Sequence, residues 1–119
     1  MLMLIDDADL RNIEELYSKY PYDGVTTNPT ILSKTGNPDP MDQLKQIRSL
    51  IPSDAMLHAQ VLSVETVDMV REAKYMVSVL GKDTFIKVPV TENGLKAISI
   101  LSSENIRVTA TAIYGTMSA

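Results

Sequence analysis

A lysine inside an apolar segment is the residue of this sequence with the clearest potential for chemistry. Lys87 lies within TFIKVPV at 84–90, a composition typical of a buried strand. Burial disfavours the ammonium form, so it lowers the pKa of a lysine and frees the neutral amine to attack a carbonyl carbon. Lys87 is therefore a candidate nucleophile for imine formation. The alternative is a structural lysine at a sheet edge, with its charge in solvent.

Polar residues in the other predicted strands could complement this amine. Side chains alternate along a strand, and these polar residues fall at or towards the carboxyl ends, each on a single face of its strand. Forming and hydrolysing an imine requires proton transfer, which Asp6 could provide at a substrate hydroxyl while Gln60 and Thr111 hold a water molecule. Thr26 and Asn28 could bind the hydroxyl groups of a polyol.

Each of these residues also has a structural interpretation. Asp6 could cap the turn that follows it, and Thr26 and Asn28 could belong to the turn before Pro29. His58 shares a strand face with Gln60, and we interpret it as a hydrogen-bonded core residue. The positions of these side chains in the fold must therefore distinguish a structural role from a catalytic or substrate-binding role.

About five short apolar runs alternate with about four amphipathic segments. Asp9, Ser63 and Thr91 are predicted to begin helices as N-caps, and Gly81 is predicted to end one. Strict alternation of strands and helices favours a parallel sheet with right-handed crossovers. The predicted strands cover 2–5, 24–28, 56–62, 84–90 and 107–114.

Alternation alone does not distinguish an open sheet with helices on both faces from a closed barrel. The glycine-rich phosphate-binding motifs of open sheets are absent from the sequence. Polar side chains at the carboxyl ends of five strands instead suit a barrel, where inward residues from several strands converge on one cavity. We therefore predict a parallel α/β fold, in which a closed barrel accounts best for the positions of the polar side chains.

Composition excludes several classes of function. The 119 residues carry a formal charge of -4, so a broad basic surface for nucleic acid or an anionic membrane is not expected. Zero cysteines and one histidine exclude a disulfide framework, a thiolate zinc site and a His-rich metal cage. The first residues lack the cationic region of a signal peptide, and their apolar run ends at the carboxylates of Asp6 and Asp7. We therefore expect a cytoplasmic protein.

Four segments, in order and spacing, resemble the transaldolase and fructose-6-phosphate aldolase family over the whole chain. The combination of a Thr-Thr-Asn-Pro motif with a Lys-Val-Pro motif is highly specific. The four segments are GVTTNPT at 24–30, AQV at 59–61, IKVPVT at 86–91 followed by Gly94 and Leu95, and TATAIYG at 109–115.

This resemblance implies a class I aldolase on a TIM-type barrel that cleaves or joins ketose phosphates through a Schiff base, without metal or organic cofactor. Lys87 then corresponds to the Schiff-base lysine, and Asp6 to the carboxylate at the bond that breaks. The substrate ligands would be Thr26 and Asn28, and the holders of the catalytic water would be Gln60 and Thr111. Substrates would be sugar phosphates or dihydroxyacetone.

Two details of the resemblance bear on function. Transaldolases usually have Glu at position 60, whereas the fructose-6-phosphate aldolase group has Gln, so Gln60 favours an aldolase over a transaldolase that transfers dihydroxyacetone between sugar phosphates. Asp7 stands where the family commonly has Thr, and it either raises the pKa of Asp6 or begins the helix.

Length is the larger departure from the family. Barrels of this type exceed about 200 residues, and family members have three further strands, with phosphate-binding residues, and a helix that interlocks subunits into rings. Residues 1–119 are therefore expected to form a single domain that supplies about the first five strands of a barrel. A homo-oligomer is expected if the full chain is present. A non-catalytic interaction protein built on a partial barrel is the alternative.

Overall fold

The computed structural model describes residues 2–111, which form one five-stranded parallel sheet connected by helices. The strands follow one another in the order β1-β2-β3-β4-β5, so each strand pairs with its neighbours in the chain. The strands are β1 Leu4–Asp6, β2 Gly24–Thr26, β3 Met56–Gln60, β4 Thr84–Pro89 and β5 Val108–Thr111. The helices are α1 Leu10–Lys19, α2 Pro29–Ser33, α3 Pro40–Leu50, α4 Thr66–Leu80 and α5 Glu92–Ser103.

The unreversed strand order distinguishes a barrel segment from an open doubly wound sheet. Right-handed crossovers that always advance in one direction place every helix on the same face, whereas a doubly wound sheet reverses its order at a switch point. The predicted α/β architecture is therefore confirmed, with five strands of a TIM-type barrel. Within residues 2–111, β1 and β5 each pair with one strand, so the described sheet is open at both edges.

The two faces of the sheet have different surroundings. The outer face packs against the helices, and its side chains are buried; they are Ile5, Val25, Leu57, Ala59, Ile86 and Val88. The opposite face, which we call the inner face, carries most of the half-exposed side chains of the strands, including Thr26, Gln60 and Lys87. Alternation along each strand produces this division, because neighbouring side chains point to opposite faces.

Local chemistry explains where several helices begin. Asp9 accepts hydrogen bonds from the amides of Arg11 and Asn12, and Asp39 caps α3 in the same way. Thr91 accepts the amide of Gly94 at the start of α5. These side chains satisfy amide groups that have no partner within the first turn. The predicted caps at Asp9 and Thr91 are confirmed, as is the end of α4 at Gly81, where φ is +102°.

The predicted cap at Ser63 is wrong. α4 begins three residues later, and the Ser63 hydroxyl donates to the carboxylate of Glu72 instead, at 2.9 Å. That carboxylate also accepts the amides of Leu62 and Ser63, so it orders the whole loop between β3 and α4. No helix among residues 2–111 is both long enough and apolar enough to cross a membrane.

Candidate active site

The amine of Lys87 reaches across the inner face of the sheet. Lys87 lies on β4, and its Nζ donates to the backbone carbonyl of Thr27, immediately after β2, at 2.9 Å. Because β3 lies between these strands, the side chain and its hydrogen bond together cross two strand spacings, about 9.5 Å. Lys87 therefore occupies the centre of the inner face rather than a sheet edge.

The strand register defines the path of this side chain. Lys87 is level with Gln60, and Thr26 is level with His58, so Thr27 is level with the position between His58 and Gln60. To reach the Thr27 carbonyl, the side chain of Lys87 must therefore cross β3 between the levels of Gln60 and His58.

Burial of Lys87 changes its ionisation. Loss of solvent lowers the pKa of its amine below the ordinary value for lysine, and the negative charge of Asp6 partly opposes this shift. A lowered pKa increases the fraction of neutral amine at neutral pH, which is the form that attacks a carbonyl. Asp6 lies on the same inner face at the end of β1, level with Thr26 on the strand whose end the lysine reaches.

Thr27 is a site residue that the sequence pattern did not single out. Its side chain is fully buried, and its hydroxyl donates to the carbonyl of His58 at 2.9 Å. Its own amide donates to the same carbonyl, and its carbonyl accepts Lys87. Thr27 therefore connects the end of β2 to β3 and to the lysine. The pair Thr26-Thr27 could have indicated this role. Side chains alternate along a strand, so one of the two threonines faces the helices, and its buried hydroxyl needs a hydrogen-bond partner.

Replacing Thr27 by valine is expected to reduce the free energy of unfolding by about 1 kcal/mol, because the buried hydroxyl bond to the His58 carbonyl is lost. Thr27→Ser keeps the hydroxyl and serves as the matched variant, with a smaller loss. Chemical denaturation of both variants measures the difference. Equal stability of Thr27→Val and the unmodified protein would show that this bond contributes nothing.

Gln60 and Thr111 lie at the carboxyl ends of their strands, as expected. Gln60 is the direct cross-strand partner of Lys87, whereas Thr111 pairs with Pro89, one inner-face step beyond the lysine. Both side chains are partly exposed. An amide and a hydroxyl in these positions could hold a water molecule near the amine, so the expected role remains compatible with the register. Tyr114 and the other residues of 112–119 lie outside the described residues.

The side chain of Asn28 has a structural role. Its Oδ1 accepts the amide of Ile31 at 2.8 Å and so caps α2, whose first residue is Pro29. Its oxygen therefore has a structural role, as a helix cap rather than as part of a turn before Pro29. The Nδ2 group makes no hydrogen bond among residues 2–111, so it is available to a ligand. Thr26 lies on the inner face between Asp6 and His58 in the register.

Asp7 builds the turn between β1 and α1. Its carboxylate accepts the amides of Ala8 at 2.7 Å and Asp9 at 3.0 Å, and the side chain of Asn12 at 3.3 Å. These contacts support the interpretation in which Asp7 begins the helix. Asp6 is left exposed at the end of β1, level with Thr26 on the inner face.

Two cavities lie beside Gln60, but Lys87 lines neither of them. One has a volume of about 550 Å³ between α2, α3 and α4, and Pro29, Leu44 and Met76 contribute to its walls. The other, of about 500 Å³, lies between the β3-α4 loop and the start of α5. The lysine instead faces the open inner surface. Among residues 2–111, no group of three or more His, Asp and Glu side chains could hold a metal ion.

Comparison with known proteins identifies the family of the chain. Residues 3–119 match the family described as transaldolase/fructose-6-phosphate aldolase. The chain belongs to this family. It is 39% identical over 114 residues to a probable fructose-6-phosphate aldolase of Streptococcus pneumoniae, covering 96% of this chain and 51% of that protein. It is also 37% identical to a probable transaldolase of Hydrogenobaculum, covering 100% of this chain and 53% of the relative.

The aldolase and transaldolase relatives differ from this sequence in length. The chain spans about half the length of the curated relatives it matches, with coverages of 51% and 53%. The matched half includes the Lys87 strand and the Thr-Thr-Asn-Pro segment at 26–29. Family membership thus confirms the resemblance found in the sequence, and the roles of individual residues follow as proposals from the geometry.

Proposed function

We propose that this protein acts as a class I aldolase that cleaves or forms a carbon-carbon bond in a ketose phosphate of the fructose 6-phosphate type. The observation that carries the proposal is the half-buried amine of Lys87 at the centre of the inner face, which reaches the Thr27 carbonyl and shares this face with Asp6. No metal or organic cofactor is needed for this chemistry, because the protonated imine itself withdraws electrons from the bond that breaks.

In the first stage, the neutral amine of Lys87 attacks the ketose carbonyl to form a carbinolamine. Loss of water then gives an iminium ion that is covalently attached to the lysine. Because Nζ points towards the end of β2, the attached substrate would lie beside Thr26 and the free amide group of Asn28. These side chains are the proposed ligands of the substrate hydroxyl groups.

In the second stage, the carboxylate of Asp6 accepts the proton of the substrate hydroxyl at the scissile bond. The electron pair of the carbon-carbon bond moves to the iminium, which gives an enamine on Lys87 and a free aldehyde. Protonation of the enamine regenerates the iminium, and a water molecule held by Gln60 and Thr111 hydrolyses it. The ketone leaves, and the amine is restored.

The reaction reverses towards synthesis or transfer if an acceptor aldehyde captures the enamine before protonation. Gln60 supports cleavage over transfer, because an amide orients a water molecule without storing a proton. Relatives with both kinds of name match this chain, and we propose that the residue at position 60 sets the balance between cleavage and transfer. Release of the aldehyde from fructose 6-phosphate, with and without an added acceptor aldehyde, tests the proposed function directly.

Gln60→Glu is expected to shift the balance from cleavage towards transfer and to alter the pH profile, because a carboxylate can accept a proton where an amide only orients water. The measurement compares rates with donor alone and with donor plus acceptor across pH. Gln46→Glu, which makes the same change on the exposed side of α3, is the control. An unchanged ratio and pH profile would mean that position 60 does not contact the catalytic water.

The inner face requires further cover to exclude water from the reaction. Its partly exposed side chains and the open edges at β1 and β5 would be covered by additional barrel strands, because unpaired strand edges are prone to association. We propose that residues 1–119 act as one unit of such a barrel, in a homo-oligomeric assembly in the cytoplasm. The interaction-protein alternative predicts no iminium at Lys87 under any condition.

A further inference from the structure

His58 is a buried polar residue whose hydrogen bonding is incomplete. It is the single histidine of the sequence, and only 8% of its surface is exposed. Its Nε2 atom is buried and has no hydrogen-bond partner among residues 2–111. The expectation of a hydrogen-bonded core histidine is therefore wrong for this atom. Buried side-chain nitrogens nearly always have a partner, so an orphaned one indicates a group that is not part of the described chain.

Neighbouring residues hold this imidazole in a fixed orientation. The ring stacks on Phe85 with a centroid distance of 4.7 Å and an interplanar angle of 9°. The guanidinium of Arg107 lies 5.2 Å from the centre of the same phenyl ring and also pairs with Asp83 at 3.2 Å. The support thus runs from β3 across β4 to Arg107, the residue before β5. Side chains that are locked in this way are typical of residues that must present an atom accurately to a ligand.

The ionisation of His58 is linked to the site amine. Burial lowers the pKa of its imidazole, and the positive charge of Lys87 lowers it further. An iminium on Lys87 would carry the same positive charge as the ammonium group. His58 would therefore remain neutral throughout the reaction, with one ring nitrogen as donor and the other as acceptor.

We propose that His58 contacts the substrate: imine formation moves the Lys87 amine away from the Thr27 carbonyl and uncovers Nε2, which then forms a hydrogen bond with a hydroxyl group of the carbonyl compound attached to Lys87. The position supports this, because His58 shares a strand face with Gln60, the cross-strand partner of Lys87, and is itself the cross-strand neighbour of Thr26. A hydroxyl group suits a neutral imidazole better than a phosphate, which favours cationic partners. This inference rests on the proposed function of Lys87.

The first test compares two donors that differ by one hydroxyl group, dihydroxyacetone and hydroxyacetone. Borohydride trapping at increasing donor concentration gives the half-saturating concentration of each. In His58→Phe, which keeps the stack on Phe85, the preference for dihydroxyacetone is expected to fall about 10-fold, the effect of one hydrogen bond. His58→Gln places an amide nitrogen close to the position of Nε2 and is expected to restore part of the preference.

Unchanged preference in His58→Phe, with normal trapping at Lys87, would overturn the role of His58 and leave the proposed function intact. Absence of any adduct in the unmodified protein would instead contradict the proposed function. The two failures are therefore distinguishable.

The second test needs no variant of His58 and so does not depend on its folding. Since the chain has one histidine, the imidazole nitrogen signals in an NMR spectrum belong to His58 alone. Reductive trapping of dihydroxyacetone on Lys87 is expected to shift the Nε2 signal, whereas Lys87→Met with the same donor gives no shift. An unshifted Nε2 signal in a fully trapped protein would show that the partner of this atom is not the substrate.

Discussion

Replacement of Lys87 by alanine or arginine is expected to lower kcat/KM for carbon-carbon bond cleavage by roughly 10⁴-fold or more, as removal of a covalent nucleophile does. Alanine has no amine, and the guanidinium of arginine stays protonated and does not attack carbonyl groups. Both variants remove the group that forms the iminium, so acceptor aldehydes should not rescue the rate.

Lys82 provides a matched control for the charge change. It lies on an exposed position just before β4, and Lys82→Ala removes the same charge without reaching the inner face. We expect near-normal rates for this variant. Substantial activity in Lys87→Arg, or equal losses in the Lys87 and Lys82 variants, would contradict a nucleophilic role for Lys87.

Gly94→Ala is expected to destabilise the protein by about 2 kcal/mol, although alanine usually stabilises a helix relative to glycine by about 1 kcal/mol. A Cβ atom at position 94 would lie 1.8 Å from the carbonyl oxygen of Pro89 and 3.1 Å from the Thr91 hydroxyl. The start of α5 must therefore move away from the end of β4. The steric cost exceeds the gain in helix propensity.

Ser99→Ala is the control for helix propensity, because Ser99 lies on the exposed side of the same helix. Its stability should be equal to or greater than that of the unmodified protein in chemical denaturation. Pro89 follows Lys87 by two residues, so Gly94→Ala should also reduce activity. A Gly94→Ala protein of normal stability would show that α5 tolerates displacement from β4.

A close approach of the backbone also explains Gly24, which lies in the first of the four segments that resemble the family. A Cβ atom at Gly24 would lie 2.1 Å from the carbonyl oxygen of Met56, because β2 and β3 approach closely at this point. Gly24 and Gly94 therefore allow the packing that places the Thr27 carbonyl and the Lys87 strand within reach of each other.

Much of the fold could be predicted from local patterns. Alternation of apolar runs and amphipathic segments predicted the parallel strands, and the caps at Asp9 and Thr91 predicted two helix starts. The short helix α2 was missed, because Asn28-Pro29 was interpreted as the end of a strand. The same pair is also a helix start, with Asn as cap and Pro at the first helical position.

Features that depend on tertiary contacts were not predictable from local patterns. Ser63 has the chemistry of a cap, but Glu72 lies nine residues further along the chain and folds back to accept its hydroxyl. Val67 of α4 is apolar but exposed, whereas Met69 and Met76 fill the buried side of the helix. Several apolar stripes fit one helix when its sequence is rich in Val and Met, and only the packed sheet selects among them.

The candidate site was predictable to the extent that it depends on strand alternation. The shared inner face of Asp6, Thr26, Gln60 and Lys87 follows from alternation and register. The contact between Lys87 and the Thr27 carbonyl requires the distance across β3, which the sequence does not contain. The stacked support of His58 also depends on Phe85 of β4 and on Arg107 just before β5, which are distant from His58 in the sequence.

The central claim is that Lys87 forms an iminium with a carbonyl donor, and reductive trapping tests it most directly. The purified protein is treated with borohydride in the presence of dihydroxyacetone, digested, and mapped by mass spectrometry. We expect one donor-dependent adduct, located on the peptide that contains Lys87. An adduct on Lys82 or Lys96, or no adduct in a protein that cleaves fructose 6-phosphate, would contradict the assignment.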